Sequence, residues 1–248
     1  MLDGWLIPEW PAPSRVRAAV STRQLPGHSP APYERFNLGA NCGDALDAVR
    51  ANRALVPTML GLAREPHWLQ QVHGVDVVDI DDPGLQATLR ADASMTTRAG
   101  EPLAILTADC LPALFCTRDG GAVAAAHAGW RGLQAGVLEA AVRALPAPPS
   151  EVMAWLGPCI GVTSYEVGEE VREAFLMSDQ GADSCFHATR PGHWLCDLAG
   201  LARRRLAAAG VAAVCGGGFD TRTDARFYSY RRDAAQSGRF VSLVWLES

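Results

Sequence analysis

Two apolar runs joined by a glycine-rich turn govern how the middle of this chain can fold. Ala113 to Cys116 and Ala122 to Ala126 read as strands, and Arg118-Asp119-Gly120-Gly121 between them is turn chemistry, so the segment predicts an antiparallel hairpin. With the turn centre between Asp119 and Gly120, cross-strand partners have residue numbers that sum to about 239. Cys110 then faces position 129 and comes close to His127. A strand advances about 3.3 Å per residue, so the two side chains can share one ion if they point to one face. Pro112 is expected to force a bulge that adjusts this register.

The run that enters the hairpin, Pro102 to Cys116, is largely apolar but carries Asp109 in its middle. A buried carboxylate is costly unless it is paired or lies near a cation. Taken singly, Cys110 also reads as an inert core thiol, and His127 as a hydrogen-bonded turn residue ahead of Ala128-Gly129-Trp130. Asp109 tilts the balance toward a metal site, which would supply the compensation. Cysteine and histidine suit a borderline-soft cation such as zinc, and three protein ligands leave a fourth position for water or substrate. His73 is the natural third ligand, because Gly74 follows it at a strand break where the imidazole is free to turn.

Elsewhere helical and extended patterns alternate. Val16 to Thr22, Trp68 to Val72, Val75 to Ile80, Leu103 to Thr107, Val152 to Leu156, Val211 to Cys215 and Arg239 to Leu246 read as strands. Asp44 is expected to N-cap a surface helix carrying Leu46, Val49, Ala54 and Leu55, which Pro57 interrupts. Gly132 to Leu145, Val167 to Met177 and Leu198 to Ala209 read as further helices. Pro146-Ala147-Pro148-Pro149 is the most linker-like segment, yet it is short and an apolar strand follows it, so it is read as a loop. The class is therefore α+β, a mixed α/β chain with mixed sheets flanked by helices, expected as a single domain over residues 1–248.

Composition removes several functions. A net charge of -5 offers no general attraction to a phosphate backbone, so polynucleotide is excluded as a partner. No apolar stretch reaches the roughly 18 to 20 residues of a membrane span. Asp3 stands where a signal peptide wants a basic residue, and Pro8, Pro11 and Pro13 break the helix it needs, so no export signal is expected. The seven cysteines are odd in number and scattered, which fits a reduced cytoplasmic setting.

The chain also resembles the YfiH family, known too as the laccase-domain or multicopper polyphenol oxidase family and as purine nucleoside phosphorylases. The resemblance rests on ordered segments that include Phe36-Asn37-Leu38-Gly39, Asn52-Arg53, Gln71-Val72-His73-Gly74, Ala91-Asp92-Ala93, Ala108-Asp109-Cys110, His127-Ala128-Gly129-Trp130-Arg131-Gly132, Gly157-Pro158-Cys159-Ile160-Gly161 and Phe227-Tyr228-Ser229-Tyr230-Arg231-Arg232. It implies a YfiH-like fold and a zinc site made by His73, Cys110 and His127, with copper as a substitute ion. Family members often carry Cys-Thr where this chain has Asp220-Thr221, and the early loop at Gln24 to His28 also departs from the glycine-rich family pattern.

The activity implied is phosphorolysis of adenosine, inosine, guanosine and methylthioadenosine, with hydrolytic deamination of adenosine, so the expected partners are purine nucleosides and phosphate. Cys110, His127 and Asp109 are the expected catalytic residues, with Asp109 as a proton carrier or a support for its neighbour. Arg131, Arg231, Arg232 and Arg239 are the candidates for holding phosphate, with Arg23 a further one, and each also reads as a surface arginine. Asn37 either contacts ligand or caps a turn. Trp130, Phe227, Tyr228 and Tyr230 are candidates for the walls of a purine slot or for core. Two other classes stay open: a zinc or cysteine amidase that edits peptidoglycan precursors, and a structural zinc domain with Cys159 as fourth ligand. An ordinary multicopper laccase is rejected, because such enzymes use about ten histidines, many in His-x-His pairs. This chain has six histidines and no such pair.

Overall fold

The computed structural model describes residues 3–85, 88–211 and 213–247. Its larger sheet runs β12 (Ala213–Gly216), β8 (Val152–Leu156), β6 (Leu111–Thr117), β7 (Val123–Ala128), β4 (Ala93–Thr96), β3 (Val77–Asp79). A four-stranded sheet runs β1 (Val16–Val20), β13 (Phe240–Leu246), β5 (Leu103–Thr107), β2 (His67–Trp68). A small third sheet pairs β10 (Phe186–Arg190), β11 (His193–Cys196) and β9 (Glu166–Gly168).

The period-2 alternation of strand side chains separates these sheets into layers. Leu114, Cys116, Val123, Ala125, Met153 and Trp155 from the larger sheet meet Leu103, Ile105, Phe240 and Val244 from the four-stranded one in a single core. The opposite parity, Ala113, Phe115, Ala124, Ala126, Ala154 and Leu156, turns outward to a second core. That core also takes residues of α2 (Trp130–Ala135), α3 (Val137–Ala144), α4 (Glu169–Leu176) and α5 (Leu198–Ala208). On the far side of the four-stranded sheet, α1 (Leu46–Leu60) packs Val56 against Ala19, Ala104, Val241 and Leu243. Both faces of each main sheet are thus covered, which is why β6 reads as a continuous apolar run.

The hairpin has the expected register, with Pro112 opposite His127 and Leu111 opposite Ala128. Pro112 causes no bulge. His127 N donates sideways to Asp92 O, so this is a non-hydrogen-bonded pair across β6 and β7, and the proline needs no amide there. Its carbonyl accepts from Gly157 N just beyond the β6–β8 ladder.

Several element limits differ from the sequence reading. Asp44 does not cap α1: Ala45 is the N-cap residue, while the Asp44 carboxylate accepts from Asn37 Nδ2 and Ala45 N. Pro57 does not interrupt that helix, which runs on to Leu60 and ends where Gly61 adopts φ 65° and donates to Pro57 O. The helix expected over Gly132 to Leu145 is two helices, broken at Gly136 with φ 104°. Val167 belongs to β9, so α4 starts at Glu169. In the strand expected over Val211 to Cys215, Ala212 lies outside the described residues and β12 begins at Ala213. β4, β10 and β11 went unread. No helix among the described residues is long and apolar enough to cross a membrane.

Candidate functional site

At one end of the sandwich β5 and β7 finish and β6 and β13 begin, and the four strand ends surround a cavity of about 590 Å³. His127 is carried there by β7, and its parity with Val123 and Ala125 turns it toward the four-stranded sheet. Cys110 precedes β6, and His73 lies in the turn between β2 and β3. Cys110 Sγ is 3.9 Å from His73 Nε2, and the two imidazole rings meet edge to face with centroids 4.7 Å apart. One donor atom from each of His73, Cys110 and His127 lies within 4.8 Å of the others, an arrangement that could hold a metal ion.

Asp92 assembles this cluster. Its carboxylate is fully buried, and Oδ1 accepts from His127 Nδ1 at 2.8 Å and from His73 N at 2.9 Å. Oδ2 accepts from Val72 N at 3.0 Å and Gly74 N at 2.7 Å. Three successive amides converge on one anion, and the chain curls to do so, with His73 at φ 61°. Burial works against the Asp92 charge, but the His127 bond and these amides outweigh it and hold the carboxyl below its usual range. With the Nδ1 proton committed to Asp92, His127 presents Nε2 to the cluster.

Cys110 is placed by its neighbour. Asp109 sits at φ 85°, its Oδ1 accepting from Thr221 Oγ1 and its Oδ2 from Arg231 N, both at 2.6 Å. Its carbonyl accepts from Ile160 N. Asp220 fastens the same region by accepting from Gly161 N and Ser164 Oγ. Burial opposes charge on Cys110 and on His127, yet their mutual attraction prevails, helped for His127 by Asp92. The thiol is pushed down and the imidazole up, toward a thiolate and imidazolium.

The donor set fits a borderline-soft divalent ion. The space around it depends on Gly129, which the register sets against Cys110. A Cβ at this position would stand 2.9 Å from His73 Cδ2 and 3.0 Å from Cys110 Sγ. Cys159 is buried and takes no part in the cluster.

Not every expected site residue reaches the cavity. Arg131 does, stacked on Trp130 at 4.3 Å, and so do Arg231, over the Tyr165 ring at 5.2 Å, and Arg239. Arg232 does not: it donates to Thr221 O and Phe227 O and pairs with Asp233, bracing the C-terminal loop. Arg23 is likewise engaged by Asp233. Asn37 is buried away from the cavity, where its Oδ1 accepts from Gly39 N and Arg239 N. Tyr230 and Trp130 line the cavity, whereas Phe227 and Tyr228 are core. The sequence reading missed Asp92, Arg53 and Tyr165. A lone carboxylate between Ala91 and Ala93 was the available signal for the first.

Residues 17–247 match the family described as multi-copper polyphenol oxidoreductase laccase. The chain belongs to this laccase family. Among its curated relatives, a purine nucleoside phosphorylase of Pseudomonas aeruginosa is 53% identical over 99% of this chain and 100% of its own. The Escherichia coli protein named purine nucleoside phosphorylase YfiH is 48% identical over 97% of this chain and 98% of its own. Among solved structures, the laccase-family chain is similar to Neisseria meningitidis protein NMB0706 of family DUF152. That similarity has a TM-score of 0.94 at 43% identity, covering 99% of this chain and 100% of the other.

Proposed function

We propose that this chain is a zinc-dependent purine nucleoside phosphorylase of the cytoplasm, acting on adenosine, inosine, guanosine and methylthioadenosine and also deaminating adenosine. The observation that carries the reading is a convergence: a His-Cys-His cluster opens into a cavity large enough for a nucleoside and phosphate, and that cavity is lined by Arg53, Arg131, Arg231 and Arg239. The names of relatives that match over nearly their whole length support it.

Phosphorolysis moves the ribosyl group from a purine nitrogen to a phosphate oxygen, with cationic character on the sugar in between. The chain's part is to hold the phosphate monoanion or dianion on guanidinium groups and to fix the nucleoside beside it. Trp130, Tyr165 and Tyr230 supply flat surfaces for the base, and Gln70 supplies an amide for a polar edge. Asp109 spends both carboxylate oxygens on Thr221 and Arg231, so its task is to position Cys110 and the Arg231 backbone. Asp92 sets the His127 tautomer. Zinc on His73, Cys110 and His127 would supply a Lewis acid and a bound water of lowered pKa, the chemistry that hydrolytic deamination of adenosine requires.

The test is metal content together with ribose 1-phosphate release from adenosine and inosine, in the wild type and in His73→Ala, Cys110→Ala and His127→Ala. The expected result is one zinc per chain and phosphate-dependent release lost in all three variants. Zinc without purine turnover would overturn the phosphorylase reading in favour of the amidase, and a protein that takes up no metal would sink the zinc site itself.

A further inference from the structure

We infer that the cavity has a dedicated oxyanion subsite for inorganic phosphate, built from the Arg53 and Arg239 guanidinium groups on either side of Gly39, and that the other two arginines serve the nucleoside. This inference rests on the phosphorylase reading and deepens it by saying at which end of the cavity phosphate sits.

The loop after Asn37 lines the cavity between two arginines. Leu38 O accepts from Arg53 Nε at 2.9 Å, Gly39 O from Cys42 Sγ and Asn37 Nδ2, and Cys42 O from Tyr33 Oη at 2.8 Å. The amides of Ala40 and Asn41 have no acceptor among the described residues, while Cys42 N closes a turn on Gly39 O. Gly39, Ala40, Asn41 and Cys42 all line the cavity.

Two guanidinium groups flank the same loop. Arg53, half-buried on α1, lies over the Trp68 ring at 4.5 Å and spends only Nε on the chain, leaving both terminal nitrogens free. Arg239 lies against Gly39, where a Cβ would come within 2.6 Å of its Cγ. Its Nη1 donates to Ser237 O and Gly238 O, and its Nε and Nη2 are free. None of the four cavity arginines is in an ion pair among the described residues, whereas Arg23 and Arg232 share Asp233 and Arg204 holds Asp179. Asp44, the carboxylate of this loop, is turned to Asn37 and Ala45. Burial acts against the Arg53 charge more strongly than Glu65 supports it, so an incoming anion recovers a cost already present in the fold. Arg131 and Arg231 differ. Both are exposed, where Arg53 and Arg239 are half-buried, and they sit on Trp130 and Tyr165, two of the surfaces offered to a base.

The experiment measures phosphate KM and nucleoside KM in the metal-loaded wild type, Arg53→Gln and Arg239→Gln. In parallel, phosphate Kd is measured by calorimetry without nucleoside. Loss of a charge-assisted pair of bonds should raise both phosphate constants about tenfold or more while nucleoside KM moves little. Arg50→Gln, on the exposed side of the same helix and paired only with Asp47, is the control that leaves both unchanged. Arg239 reaches Asn37 and Leu38 through its main chain, so Arg239→Gln keeps those bonds if Arg53→Gln should fail to fold. Unchanged phosphate constants in Arg239→Gln, with a rise in Arg131→Gln or Arg231→Gln instead, overturn the subsite and leave phosphorolysis standing. A wild type that turns over no nucleoside but binds phosphate tenfold better than the variants keeps the subsite and removes the phosphorylase reading.

Discussion

Asp92 has the largest reach of any residue at the site, since one carboxylate orients His127 through its ring and His73 through its backbone. Asparagine at that position keeps the shape but offers a single acceptor oxygen and, in place of Oδ2, brings an NH₂ group against the amides of Val72 and Gly74. Asp92→Asn is therefore expected to weaken metal affinity by about 10- to 100-fold, measured by competition with a chromophoric chelator. Equal affinity in both proteins would show that Asp92 does not position the ligands. Cys110 and His127 were legible from hairpin register and donor chemistry, and His73 from the glycine beside it at a strand break and from the family resemblance. Asp92 was not, because its role exists only in the three amides that fold around it, and a spacing argument has no access to that. Asn37 and Arg232 misled for a related reason: a polar residue in a distinctive segment can serve the loop that carries the ligand-facing group, here Arg239.

Among the elements, the strands with continuous apolar character and the helices with clear periodicity were readable from the chain. β4 was not, since Ala93-Ser94-Met95-Thr96 owes its strand state to β3 and β7 on either side. The β3–β4 connection carries its own electrostatic clasp. Burial raises the Asp81 pKa, but bonds from Thr96, Thr97 and Arg98 outweigh it and hold the carboxyl at about 2. A carboxylate depressed in the folded state stabilises the fold above its unfolded value near 4, and that contribution is lost as pH falls from about 4 through about 2. Asp81→Asn should thus lie below the wild type by about 1–2 kcal/mol at neutral pH, with the gap closing by about pH 2. Urea titrations at stepped pH measure it, and a gap independent of pH would rule this account out.

Across the whole molecule, stability and site geometry have separable sources. Leu114, fully buried between the two main sheets, belongs to the layer that holds them together and touches no cavity residue's role. Leu114→Ala should cost about 2–5 kcal/mol in denaturant unfolding while the folded protein keeps its metal stoichiometry. Loss of metal at full folding would mean that the sheet spacing itself sets the cluster. The order of β1, β13, β5 has a further consequence, for biosynthesis. β13 is made well after both of the strands it must slide between, and Arg239 arrives only with it. The cavity wall that Arg239 supplies is thus completed only after the segments carrying His73, Cys110 and His127 have all been made.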